Sequence, residues 1–127
     1  DNNTVIQLSP QDPLAYINRG VTLLSLGQIQ EAMKDFDEAV RLDPKLALAY
    51  NNRGTAYYQL GQAERSIEDY DKAINFDPQF AESYANRALA YALLDRYVEA
   101  RQDVARAVEL GFAPAPFGSD PEISKVQ

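Results

Sequence analysis

Residues 49–54 read AYNNRG, and nearly the same six residues occur at 15–20 (AYINRG) and at 83–88 (SYANRA). The three copies lie 34 residues apart, and the same offset continues on both sides of them. Positions related by this offset include Tyr16, Tyr50 and Tyr84; Gly20, Gly54 and Ala88; and Pro10, Pro44 and Pro78. Self-similarity at a fixed period of this length is the sequence signature of a repeat architecture. We therefore predict that the chain contains three copies of one structural unit.

Each unit is predicted to contain two helices. In the middle unit, Tyr50, Gly54 and Tyr57 lie at i, i+4 and i+7, which places them on one face of a helix. Gly61 follows that helix, and glycine readily adopts the left-handed conformation that ends helices. Asp-Pro dipeptides at 43–44 and 77–78 are expected to end the second helices of the first and second units, because proline disfavours helical geometry in the residue before it. The predicted helices are 13–26, 29–42, 47–60, 63–76, 81–94 and 97–110.

This pattern resembles the tetratricopeptide repeat family, whose signature combines Trp-x2-Leu-Gly-x2-Tyr, Ala-x3-Phe and a closing Pro. The matching residues of the middle unit are Tyr50, Arg53, Gly54, Tyr57, Ser66, Tyr70 and Pro78. The chain departs from the signature in two ways: arginine replaces its leucine in every unit, and Phe112 replaces the closing proline of the third unit. The resemblance implies an all-α fold, an α-solenoid in which antiparallel helix hairpins stack as a right-handed superhelix.

The predicted organisation has three full units between two shorter segments. The full units are 13–46, 47–80 and 81–112. Because TVIQLSP at 4–10 matches EAVRLDP at 38–44, residues 1–12 are expected to be the remnant of a preceding unit's second helix. Residues 113–127 are predicted to form a Pro-rich loop followed by a short helix or tail. The only methionine is Met33, so residue 1 is not an initiator methionine. Because partial elements flank the three full units, we expect both ends to be cuts through a longer array.

The arginine of each copy precedes an aspartate by sixteen residues. The three pairs are Arg19 with Asp35, Arg53 with Asp69, and Arg87 with Asp103. In a two-helix hairpin these positions lie roughly opposite each other, so we predict structural ion pairs that lock each hairpin. These pairs could also be shared with the neighbouring unit, and a ligand-binding arginine ladder is the alternative. On the second helix itself, Asp37 and Arg41 are predicted to form an i,i+4 pair.

The asparagine of each copy is harder to explain by packing, because nothing in a hairpin core requires an amide. In tetratricopeptide proteins the first helices line a concave groove, and the resemblance implies that Asn18, Asn52 and Asn86 face into it. An amide both donates and accepts hydrogen bonds, which suits the backbone of an extended peptide. Helices about 8–10 Å apart would meet roughly every third residue of such a peptide. Hydrogen bonding between units or a solvated groove wall is the alternative.

The resemblance assigns further residues to this peptide-binding groove: Ile17, Val21, Asn51, Thr55, Tyr58 and Leu89. Chaperone-binding members of the family hold an acidic C-terminal tail with a clamp of Lys, Asn and Arg. Only Asn52 fits such a clamp here, because the other matching positions are apolar. Those positions are Ile17, Val21, Ala85 and Leu89. We therefore expect the peptide partner not to be an acidic tail.

Composition argues against several other classes of function. A net charge of −7 does not suit a nucleic-acid binder or a protein that docks on anionic lipid. The longest apolar run, at 88–94, is far shorter than the roughly 20 residues of a membrane helix. The chain has no His and no Cys, which excludes imidazole and thiol chemistry. It also lacks phosphate-loop and calcium-loop patterns, so no cofactor and no metal site are predicted.

Together these patterns predict a non-enzymatic protein–protein interaction scaffold that binds an extended peptide through an asparagine ladder. One alternative is self-association into a homo-oligomer, or a structural segment of a longer array. Another is the substrate-recruiting arm of a larger enzyme, because the asparagine ladder resembles that of O-linked N-acetylglucosamine transferase. The sequence does not indicate the compartment, and the cytoplasm is taken as the default.

Overall fold

The computed structural model describes residues 2–112, which form seven α-helices. These are α1 (Asn2–Leu8), α2 (Pro13–Ser25), α3 (Ile29–Leu42), α4 (Ala47–Gln59), α5 (Ala63–Phe76), α6 (Ala81–Leu93) and α7 (Tyr97–Glu109). The described part of the chain contains no strand, and the predicted all-α solenoid is confirmed. The six helices predicted from periodicity begin where expected and end at most one residue early. The predicted tail at 113–127 lies outside the described residues.

Three hairpins, α2–α3, α4–α5 and α6–α7, stack through contacts of α3 with α4 and of α5 with α6. The turns inside the hairpins have one geometry. Gly27 and Gly61 have φ values of 80° and 77°, and Asp95 takes the same position in the third hairpin with φ 61°. Aspartate is one of the few non-glycine residues that occasionally adopt this conformation. In each turn the following amide donates to a carbonyl five residues earlier, at 2.9 Å, which closes the end of the first helix.

The tyrosine of each repeated copy ties its unit to the linker before it. The hydroxyl of Tyr50 donates to the carbonyl oxygen of Pro44 at 2.7 Å. Tyr16 and Tyr84 make the same bond to Pro10 and Pro78, at 3.1 and 3.2 Å. The 34-residue spacing of tyrosine and proline therefore has a direct structural cause, because one side chain of the unit fixes how the chain enters it.

Each of the first two hairpins closes on a glycine that faces a buried aromatic ring. A Cβ atom added at Gly20 would lie 2.5 Å from Cε1 of Phe36, and one added at Gly54 would lie 2.8 Å from Cε1 of Tyr70. Both rings are buried. The third unit carries Ala88 in place of the glycine and Val104 in place of the ring. The size of one side chain is thus matched to the size of the other in each hairpin.

Gly54→Ala is expected to destabilise the protein, because the new methyl group meets the Tyr70 ring and overpacking a core costs about 1–3 kcal/mol. Without such a clash, the same change in a helix stabilises by about 1 kcal/mol. The sign should therefore reverse in a Tyr70→Val background, which reproduces the residue types of the third unit. Urea denaturation of the four proteins measures this effect. Equal destabilisation by Gly54→Ala in both backgrounds would contradict the packing account.

Candidate functional site

The first helices of the hairpins form one continuous face. Within residues 2–112, α2 contacts α4 and α4 contacts α6, whereas α3, α5 and α7 make no close backbone contact with one another. A stack whose first helices approach more closely than its second helices curves toward the first helices. The face of α2, α4 and α6 is therefore the concave face of the solenoid, and it is the candidate site.

The arginine of each unit lies between two second helices. Nε and Nη2 of Arg53 donate to the carboxylate of Asp69, both at 2.9 Å. Nη1 donates to Oδ1 of Asp37 in the preceding hairpin at 3.1 Å. Asp69 is buried, and its hydrogen bonds with Arg53 are the main reason why the pKa of this guanidinium lies above its usual range. One side chain thus joins the two helices of its own hairpin and also joins that hairpin to the one before.

The other two units repeat this arrangement. Arg87 donates to Asp103 at 2.8 and 2.7 Å, and to Asp71 of the preceding hairpin at 2.8 Å. Arg19 donates to Asp35 at 2.9 and 2.6 Å, and to Asn3 of α1 at 3.1 Å. The contact of Arg19 with α1 therefore corresponds to the contact of Arg53 with α3. Because Nε, Nη1 and Nη2 of every repeat arginine donate within the chain, these guanidiniums do not form an open ladder for a ligand.

Each arginine also lies over the tyrosine three residues before it. The guanidinium carbon is 5.6 Å from the ring centroid for Arg53 over Tyr50 and for Arg87 over Tyr84. The distance for Arg19 over Tyr16 is 5.8 Å. Such cation–π contacts contribute about 0.5–1 kcal/mol at exposed sites and more when desolvated. The tyrosine that fixes the entry of the chain therefore also supports the arginine that fixes the stacking.

Two residues assigned to the groove by resemblance do not face it. Ile17 and Asn51 occupy the same position of successive units, and only 1% and 0% of their surfaces are exposed. Ile17 packs on Ala49 and Ala39, while Asn51 accepts a hydrogen bond from Ser83 at 2.8 Å. The groove assignment of this position was wrong, because each of these side chains meets the first helix of the following unit.

The buried amide of Asn51 links two members of the asparagine ladder. Its Oδ1 accepts from Nδ2 of Asn86 at 3.2 Å, and its Nδ2 donates to Oδ1 of Asn52 at 3.3 Å. Between the second and third units, the ladder therefore takes part in hydrogen bonding between units, which was the alternative to ligand binding. Asn18 is exposed, whereas Asn52 and Asn86 are half-buried.

The remaining predicted groove residues fall into two groups. Val21 and Leu89 are exposed on the concave helices, by 43% and 53%. Thr55 is half-buried, and its hydroxyl donates to the carbonyl of Asn51. The same hydroxyl lies 3.0 Å from the hydroxyl of Tyr70. Burial raises the pKa of Tyr70 to about 12. Tyr58 packs against the cluster around Tyr70. The surface that a ligand can reach is thus apolar at both ends and polar in the middle.

A pocket of about 480 Å³ opens at the C-terminal end of this face, between α6 and α7. Asn86 and Leu89 line it from the concave side, and its other walls are mainly alanine and valine. Among residues 2–112, no helix combines the length and hydrophobicity that crossing a membrane requires. In the same range no group of three or more acidic side chains is placed to bind a metal ion.

A family model and several solved structures match the chain. A family model described as TPR repeat matches residues 22–61 and 54–95. The second TPR of Spaghetti (RPAP3), solved bound to the HSP90 peptide SRMEEVD, is 26% identical with a TM-score of 0.76, over 82% of this chain and 96% of that one. The crystal structure of MamA is 27% identical with a TM-score of 0.76, over 86% and 64%.

The first TPR domain of human RPAP3 shares the fold, with a TM-score of 0.78 over 93% of this chain and 88% of that one. At 22% identity, this likeness concerns the fold alone. No curated protein sequence matches the chain.

The asparagine buried between units is expected to act as a pair with Ser83. Asn51→Ile alone should cost about 1–3 kcal/mol, because it leaves the buried Ser83 hydroxyl without its acceptor. The double variant Asn51→Ile/Ser83→Ala copies Ile17 and Ala49 of the preceding interface, so it should recover most of that loss. Urea denaturation of the single and double variants gives the coupling energy. Additive effects would show that the two side chains do not act together.

Proposed function

The chain belongs to the TPR repeat family, and we propose that it is a non-enzymatic interaction module whose concave face binds an extended peptide segment of a partner protein. The observation that carries this proposal is the continuity of α2, α4 and α6, which present asparagine at the same position of each unit. The second TPR of Spaghetti, which has the same architecture, was solved with a bound peptide. A single groove of this kind would bind with a Kd of about 1 μM, close to −8 kcal/mol.

The asparagines are well suited to hold a peptide backbone even though Asn51 engages two of them. An amide offers two donor hydrogens and an acceptor oxygen with two lone pairs. In Asn86 the bond to Asn51 uses one donor, and in Asn52 it uses the acceptor oxygen once. The buried amide of Asn51 thereby fixes the orientation of both ladder side chains. A ligand would then meet amides that are already ordered, which lowers the entropy cost of binding.

The charges of the chain support a binding role rather than a catalytic one. Catalysis needs a nucleophile, a base or a metal in a pocket. The sequence provides no His and no Cys. The buried carboxylates of Asp35, Asp69 and Asp103 are each bound by two nitrogens of an arginine. These carboxylates stabilise the stack and are not placed to act on a substrate.

The proposed ligand is neutral or apolar and not an acidic tail. The two ends of the concave face present Val21 and Leu89, and the repeat arginines already donate to carboxylates and to Asn3. An acidic peptide would therefore find few cations along the face. The peptide bound by the second TPR of Spaghetti, SRMEEVD, carries three acidic side chains and offers a direct probe of this point.

The ladder is tested by screening a peptide library against the chain and against Asn18→Ala/Asn52→Ala/Asn86→Ala. We expect a motif that binds the unaltered chain and loses at least tenfold in affinity on the triple variant, with helicity unchanged. The matched control is Gln30→Ala/Asn75→Ala/Gln102→Ala, which removes three exposed amides from α3, α5 and α7. Equal loss in both triple variants, or none in the first, would contradict a role for the asparagines in binding.

The charge of the ligand is tested in the same assay with SRMEEVD and with SRMQQVN, in which neutral amides replace the three acidic side chains. We expect no preference for the acidic peptide. Binding of SRMEEVD more than tenfold tighter than SRMQQVN would overturn the proposal of a neutral ligand and would leave the proposal of a peptide-binding face intact.

A further inference from the structure

Charged side chains are rare on the three helices that form the concave face. Helices α2, α4 and α6 contain four of them: Arg19, Arg53, Arg87 and Glu82. The three arginines donate to side chains of α1, α3, α5 and α7. Glu82 is exposed, and no salt bridge among residues 2–112 involves it. Its carboxylate is therefore the charge on these helices that is left for a ligand.

Glu82 lies on the same side of α6 as the ladder asparagine. It precedes Asn86 by four residues and Leu89 follows Asn86 by three, a spacing that places all three on one face of a helix. Burial is the main reason why the pKa of Tyr70 is raised, and the charge of Glu82 adds to it. The carboxylate therefore lies within electrostatic range of the Tyr70 hydroxyl, which contacts Thr55 on α4. Both observations place Glu82 on the concave face.

An extended peptide that crosses α6 at Asn86 would have Glu82 on one side and Leu89 on the other. At a rise of about 1.5 Å per residue, Glu82 is roughly 6 Å from Asn86 along the helix axis, and Leu89 is roughly 4.5 Å from it in the opposite direction. Successive side chains of an extended chain point to opposite sides. Two consecutive residues of the peptide can therefore reach Glu82 and Leu89.

We propose that the peptide bound by the concave face carries a lysine or arginine that pairs with Glu82, next to an apolar residue that packs on Leu89. This inference rests on the proposed function and refines it at one position of an otherwise neutral or apolar ligand. The net charge of −7 also attracts a basic group toward the chain. The apolar residue would enter the pocket between α6 and α7, where Val104 and Val108 are 47% and 53% exposed.

The first turn of a helix gives Glu82 a second role that the test must separate from binding. A carboxylate near a helix N-terminus interacts favourably with the helix dipole. Glu64 has the same position in the first turn of α5, and it is also exposed. Because α5 is not one of the concave helices, Glu64 provides a control that is matched in charge, exposure and position within the helix.

The inference is tested by selecting a library of random seven-residue peptides against the unaltered chain, Glu82→Lys and Glu64→Lys. We expect the unaltered chain and Glu64→Lys to select lysine or arginine beside an apolar residue. Glu82→Lys should select aspartate or glutamate at the basic position, because the sign of the charge that the peptide meets is reversed. In Glu82→Gln, a milder change, the affinity for the selected basic peptide should fall about threefold, as expected for an exposed ion pair.

The apolar half of the motif is tested in the same selection with Leu89→Ser. This variant should lose the apolar preference and keep the basic one. The control Val98→Ser changes an exposed residue of α7 that does not line the pocket, and it should keep both preferences.

The outcomes separate this inference from the proposed function. Peptides that bind the unaltered chain without a basic residue, or a basic preference that persists in Glu82→Lys, would overturn the inference and leave peptide binding intact. Selection of no peptide by the unaltered chain would overturn the inference and the proposed function together.

Discussion

The structure depends on an arginine that is shared by two hairpins. Arg53 binds Asp69 within its own hairpin and Asp37 of the hairpin before, and Arg87 repeats this pattern with Asp103 and Asp71. Removing one partner of a buried ion pair costs about 3–5 kcal/mol, so each guanidinium commits its two helices to one relative position. The same side chain then sets the spacing between hairpins. The relative placement of α2, α4 and α6, and with it the shape of the concave face, follows from these contacts.

Beside these shared arginine contacts, the units differ in the side chains that pack within and between them. In the middle unit Gly54 faces Tyr70 and Asn51 meets Ser83. The corresponding contacts of the preceding unit are apolar, with Gly20 facing Phe36 and Ile17 packing on Ala49. The middle unit is thus more polar inside than the first. A polar interface that is fully hydrogen-bonded restricts the alternatives more than an apolar one, because each unmet group is costly. Asn52 and Asn86 of the asparagine ladder take part in this arrangement through their hydrogen bonds with Asn51.

Much of the fold could be predicted because the sequence repeats the same unit three times. The 34-residue period placed six helices to within one residue, and the sixteen-residue spacing identified the Arg53 and Asp69 contact. Contacts between units were harder to predict. Asp37 was assigned to Arg41 on its own helix, yet it binds Arg53, and Arg41 binds Glu38 instead. Residue spacing along one helix predicts contacts within that helix, but it does not predict contacts with a helix of the next unit.

The sharing of Arg53 is tested most directly by a double-mutant cycle between Arg53→Met and Asp37→Ala, with Arg41→Met and Asp37→Ala as the control cycle. The free energies of unfolding are measured by urea denaturation. The account predicts a coupling of about 0.5–1 kcal/mol between Arg53 and Asp37, since Asp37 is largely exposed. It predicts additive effects for Arg41 and Asp37. Coupling in the control cycle and none between Arg53 and Asp37 would contradict the account, because the arginine would then join only the helices of its own hairpin.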